Sequence, residues 1–381
     1  MENTLNEIKE LLKDITVINQ NTIKDEDSET IIDFVENPLE PNLLAYCFDN
    51  ILGFEVQYRI FEKVNYIIDF DYKGTHATVR HYKMSYNISI HSKYKDELVH
   101  IFQQVKPLLE KLFMIIGENS LTNNNFSMKN ETNKYLFKLE FYEEKIEKLE
   151  KRKESIVEKT KGLYDVKIIS KGMKMMTPKG AKYLRLLESE ITYDIETYID
   201  TFFSALEHIL TLLFPFTENF SLSDSYYKSY IRNSKWSWDK KLKDVLGTFF
   251  NEDIYEKLKR IKEIYRNHNA HGSFSREMMA YVQIPQFGRY PLYIGKEYLK
   301  GFIDGEDYID YKLFQTAKSV FNDFWGMLDS SFELPMLFLR SGLAIPVDTS
   351  IYTKDIDSLE KAQWFIDKMR FDIDNQSNMD W

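Results

Sequence analysis

One cysteine, Cys47, occurs in 381 residues, which excludes an intrachain disulfide and any zinc site built on several thiolates. No uninterrupted apolar run approaches the ~18 residues that a spanning helix needs, so no spanning segment is expected. The start, MENTLNEIKELLKD, has early acids and no apolar stretch, unlike a signal peptide. The phosphate loop GxxxxGK[ST] and the patterns GxGxxG, HExxH and GxSxG are missing as well. A cytoplasmic protein without cofactor, metal or membrane contact is therefore expected. The chain also lacks excess positive charge. Its 50 basic and 60 acidic residues sum to −10, which argues against a generally basic nucleic-acid coat but leaves local patches open.

Apolar residues at 43% and charged residues at 29% exclude wholesale disorder, and the length suggests two or three units. Aromatic residues reach 15%, mostly Phe and Tyr. Leu5, Ile8, Leu11, Leu12 and Ile15 keep helical spacing. An acidic stretch through Glu40 then reads as surface or linker. From Phe54 the period becomes two: Phe54, Val56, Tyr58 and Ile60 alternate with polar residues. Val64–Tyr72, the turn Lys73-Gly74-Thr75, Ala77–Arg80 and Met84–Ile90 complete three or four antiparallel strands. Residues 94–116 return to helical spacing.

Further on, Tyr135–Tyr142 reads as a strand or the start of a helix, and Glu143–Thr160 as a solvated connecting helix. Between Lys159 and Arg185 the chain holds Lys159, Lys161, Lys167, Lys171, Lys174, Lys179, Lys182 and Arg185 against the one acid Asp165. That stretch is either a soluble connector or an RNA-facing loop. Helices are expected at 190–214 (ended by Pro215), 238–248, 253–268, 306–329 and 356–370. The fold class is thus α+β. A small antiparallel-sheet-plus-helix module, 1–120, precedes a helical and basic linker region, 121–189, and an all-α bundle, 190–330. A C-terminal extension with one helix, 331–381, follows.

Asp69 and Asp71 share a strand face but lack further acids, so an exposed edge is expected there rather than a metal site. The denser cluster is Tyr265-Arg266-Asn267-His268-Asn269-Ala270-His271-Gly272. A C-terminal glycine and imidazoles suit the last turn of any helix. They do not call for Arg-Asn with a histidine five residues after the arginine. Arg266-Asn267-(three residues)-His271 resembles the motif of HEPN domains, helical ribonuclease domains of prokaryotic toxins, abortive-infection proteins and CRISPR-associated effectors. The resemblance covers about 190–330. Glu207 is either similar to the acid often carried by the first long helix of such domains or part of a solvated stripe.

The resemblance implies a HEPN-like bundle and a metal-independent endoribonuclease that leaves 2′,3′-cyclic phosphate and 5′-hydroxyl ends. It also implies a role as hydrolase and toxin in antiviral defence by abortive infection, and a homodimer with a composite site. His271 would act as general acid or base, Arg266 would stabilise the phosphate and Asn267 would position it. The chemistry suits these residues. Histidine titrates near neutrality, and the guanidinium fork grips two phosphate oxygens. On a continuing helix Asn267 and His271 share a face, while Arg266 and His271 diverge by roughly 140°. Either the helix breaks near Gly272 or two chains contribute.

Glu207 and His268 are supporting candidates, His268 being a phosphate contact or an ordinary exposed histidine. Lys228, Arg232, Lys235, Trp236, Trp238, Lys240 and Lys241, interleaved with Tyr226, Tyr227 and Tyr230, suit single-stranded RNA, whose bases stack on rings. The same tryptophans are equally core anchors with lysine stems laid over them. The N-terminal module would bind a phage-derived trigger or an inhibitory partner. A non-catalytic HEPN scaffold for RNA or protein is the alternative.

Overall fold

The computed structural model describes residues 1–19, 22, 28–33, 39–61, 64–82, 86–170, 173–222, 225–232, 237–262, 280–284, 288–292, 311–354 and 356–377. The fold is α+β, with an antiparallel sheet followed by a mainly helical region. The chain divides into two compact units, Met1–Asn125 with Asp367–Trp381, and Phe126–Ile366.

In the first unit, α1 (Glu2–Leu11), β1 (Ile15–Thr16), β2 (Glu29–Asp33), α2 (Pro41–Tyr46) and β3 (Gln57–Phe61) lead into β4 (Val64–Tyr72). Then come β5 (Thr75–Tyr82), β6 (Tyr86–His91) and α3 (Lys95–Thr122). Six strands, rather than three or four, form an antiparallel sheet in the order β1–β4–β5–β6–β2, with β3 also on β4. The two extra strands lie where no alternation shows. β1 has two residues, and β2 sits inside the acidic stretch read as linker, pairing Glu29–Asp33 with His91–Asn87.

Alternation places Tyr66, Ile68, Phe70, Val79, Ile88 and Ile90 in the core, against Ile8 of α1 and Leu98, Phe102, Val105 and Leu109 of α3. Lys73 and Gly74 both have positive φ, 51° and 82°, the twist of a two-residue hairpin turn. The expected exposed edge is corrected in part: β4 is interior and Asp71 is buried, while the Asp69 side chain is 44% exposed. Asp71 accepts from the Gly74 N–H at 2.7 Å and from the Thr22 hydroxyl. Asp69 accepts from the Thr78 hydroxyl at 2.7 Å and lies 3.1 Å from His76 Nε2.

The second unit opens with β7 (Ser127–Met128) and α4 (Thr132–Thr160). Residues 135–142 are therefore helix. Nor is α4 merely solvated, since Leu139 and Ile146 are buried. It runs antiparallel to α5 (Ala181–Leu213). The Glu131 N–H donates to His208 Nε2, Lys145 sits 2.9 Å from Asp194, and Arg152 covers the Tyr183 ring. Between these helices the basic stretch forms an antiparallel hairpin, β8 (Tyr164–Ser170) with β9 (Met173–Pro178), rather than a connector or loop. By length and composition α5 could cross a bilayer, but 67% of its most apolar window is buried within the protein.

Next come α6 (Trp238–Leu246), α7 (Glu252–Ile261) and an antiparallel hairpin, β10 (Ala280–Ile284) with β11 (Gly288–Leu292). The region expected to be all-α therefore includes strands. After α8 (Tyr311–Ser331), the extension expected to hold one helix holds α9 (Glu333–Ser341), α10 (Ser350–Thr353) and α11 (Leu359–Ser377). A short strand β12 (Ile345–Pro346) pairs with β7. Aromatic side chains fill this core: Phe202 of α5 stacks on Phe321 of α8 with centroids 3.4 Å apart. The aromatic excess is largely packing.

Candidate functional site

The motif follows α7 in sequence. Asn251 caps that helix by accepting from the Ile254 N–H at 3.1 Å, while Tyr255, Leu258 and Ile261 face the core. Arg266, Asn267, His268 and His271 lie outside the described residues, as do Lys235 and Trp236. The structure describes the ground from which the motif departs, ending at Lys262, four residues before Arg266.

Lys262 is held on two sides. Its Nζ lies 3.6 Å from Glu207 Oε1 of α5 and 4.7 Å from the centre of the Trp238 ring. Its side chain is only 14% exposed. A cation over a tryptophan face is attracted by the ring quadrupole, and more strongly where water is excluded. Glu207 is thus beside the end of α7 rather than only part of a solvated stripe. Its neighbour His208 turns the other way. Burial lowers the His208 pKa, outweighing the opposing effect of Glu131, so its Nε2 remains an acceptor for the Glu131 N–H.

The cation–aromatic segment divides into two groups. Trp238 is 8% exposed, with Phe203 and Tyr255 against its ring. Tyr226 and Tyr230 are buried, and Tyr230 stacks on Phe214 with centroids 4.3 Å apart. These three rings are core anchors, a correction to the expected stacking platform. Lys241 belongs with them. Its Nζ donates to Thr211 Oγ1 at 3.2 Å and lies 5.3 Å from the Tyr230 centroid. Burial lowers its pKa, against an opposing pull from Glu207. Lys228, Arg232 and Lys240 face solvent, where cations can meet phosphate oxygens.

Lys262 does not stand out in the sequence. Its only signal there is its place just after the apolar positions of α7, four positions before Arg266. Elsewhere an open depression of about 330 Å³ lies between α4 and α8, lined by Glu147, Tyr311, Phe314 and Lys318. Its cation, Lys318, is paired with Glu143 and Glu147, so the depression has no cation uncommitted for an anion. Among the described residues no group of three or more His, Cys, Asp and Glu is placed to hold a metal. The chain matches no family model, no curated protein and no solved structure.

Proposed function

We propose that this protein is a metal-independent endoribonuclease of the HEPN type, acting as a homodimeric effector of prokaryotic antiviral defence. One observation carries the proposal: Arg266-Asn267-(three residues)-His271 begins four residues after Lys262, the residue that ties the end of α7 to an acid on the long helix α5. In this mechanism an imidazole removes the 2′-hydroxyl proton and the oxygen attacks the adjacent phosphorus. The bond from phosphorus to the 5′-oxygen breaks as that oxygen takes a proton from a protonated imidazole acting as general acid, which leaves the cyclic phosphate. Arg266 stabilises the charge that grows on the phosphorane oxygens. Lys228, Arg232 and Lys240 supply longer-range attraction for the strand. The N-terminal unit serves as the sensing part, binding a phage-derived trigger or an inhibitor.

The test compares wild type with His271→Ala and Arg266→Ala, both for growth arrest in a bacterial host and for cleavage of total RNA in EDTA. Cleavage by wild type, lost in both variants, supports the enzyme. Intact RNA with every sample refutes it in favour of a non-catalytic scaffold.

A further inference from the structure

The arm formed by α4, the β8–β9 hairpin and α5 carries surface that its own unit leaves uncovered. Twenty-one large apolar side chains are exposed among the described residues, and eleven of them lie between Phe137 and Tyr193. Phe137 and Phe141 are 73% and 57% exposed on successive turns of α4. Leu186 and Tyr193, 61% and 65% exposed, lie seven residues apart on α5 and so share a face. On the hairpin, Val166 and Met176 are cross-strand partners, 55% and 61% exposed. Monomeric proteins rarely concentrate apolar surface in this way.

Charge along the same arm is divided in two. Residues 159–185 hold eight cations and one acid. Residues 186–207 of α5 hold six acids (Glu188, Glu190, Asp194, Glu196, Asp200 and Glu207) and no cation. Lys145 takes up Glu190 and Asp194 from within the chain. An RNA or an anionic lipid surface would suit the hairpin cations. It would be repelled by the acids and would leave the phenylalanines of α4 uncovered. What fits is a surface that carries both charges and apolar groups in the opposite order, and this chain presents that surface itself.

We infer that the arm binds a second copy of this chain, the two arms lying antiparallel about a two-fold axis near Lys151. Thr160 lies nine residues, or about 14 Å, to one side of Lys151, and Tyr142 the same distance to the other. The axis therefore brings the base of each hairpin, with Lys179 and Lys182, alongside Tyr193, Glu196 and Asp200 of the second copy. Such an interface is isologous: each hairpin meets the acidic stretch of the other chain, and every contact occurs twice. Its readout is mass in solution, whereas RNA cleavage reads the ribonuclease proposal, so the failure of one is distinguishable from the failure of the other.

The test is a charge exchange in the full chain, read by light scattering behind size-exclusion chromatography and by sedimentation velocity. Wild type is expected to be a dimer at micromolar concentration. Lys179→Glu with Lys182→Glu, and separately Glu196→Lys with Asp200→Lys, should each raise the dimer dissociation constant at least tenfold. Mixing the two variants should restore a dimer, because each altered surface then meets its complement. That recovery also shows both variants to be folded. A monomeric wild type, wild-type dimerisation by either variant, or failure of the mixture to recover would overturn the inference.

Discussion

The ion pair between Lys262, at the end of α7, and Glu207 can be dissected quantitatively. At 3.6 Å, Coulomb's law gives about 1 kcal/mol with the dielectric constant of water and about 5 kcal/mol at an effective value of 20. Glu207 is 41% exposed, which places the pair near the weaker limit, so a coupling of about 1 kcal/mol is expected. Lys262→Met keeps an apolar stem over Trp238 but loses both the ion pair and the cation–ring attraction, about 2 kcal/mol together. Glu207→Gln should cost about 1 kcal/mol, and the double variant about 2 kcal/mol rather than about 3.

Urea unfolding at low and at high salt measures this cycle, and salt should shrink the coupling. Strictly additive losses would refute the pairing. The same variants test whether the pair positions the motif. A misaligned Arg266 and His271 should lower the cleavage rate by ~10-fold or more. Full activity in Lys262→Met would refute that link.

Three further outcomes follow from the packing. Because burial lowers the His208 pKa below 6.5, the unfolded chain takes up its proton first. The stability it contributes is complete above 6.5 and is lost as pH falls below that value. Unfolding free energy measured at pH 7.5 and 5.5 should therefore drop less in His208→Gln, and equal drops would count against the buried acceptor. Asn130 donates to the Leu339 and Leu343 carbonyls at 2.7 and 3.0 Å and accepts from the Thr132 N–H, joining the start of α4 to the end of α9. Asn130→Ala should cost about 2–3 kcal/mol in a urea titration, against an argument that fails below about 1. Burial raises the pKa of Cys47 to about 12, so a thiol reagent should label it no faster than the protein unfolds; prompt labelling at pH 8 would contradict its position in the core.

Much of the first unit was legible because alternation is a local property. Each of β4, β5 and β6 shows one apolar face over several residues, and the Lys73-Gly74 turn marks the reversal. β1 and β2 were not legible. A two-residue strand has no period, and the charges around Ile32 hide a strand whose partner is remote in sequence. Residues 164–178 read as a basic connector because a hairpin between two helices has its strand pairing, not its composition, as its signature. For the site, the motif itself was readable from spacing, and its anchor was not. Nothing local relates Lys262 to Glu207, 55 positions earlier.

The sequence by itself determined the α+β order of the chain, the long helices and the Arg-Asn-x3-His pattern, because each depends on neighbours within a few turns. Tertiary structure alone decided which aromatics are interior. Trp238, Tyr226 and Tyr230 have the same spacing whether they stack on bases or on Phe203 and Phe214. Packing against α5 selected the second outcome. It also decided the place of charge. A net of −10 is uninformative about partners once the antiparallel arm sets a cationic hairpin at one end and an acidic helix beside it. Long-range pairing, which no local pattern encodes, made that separation.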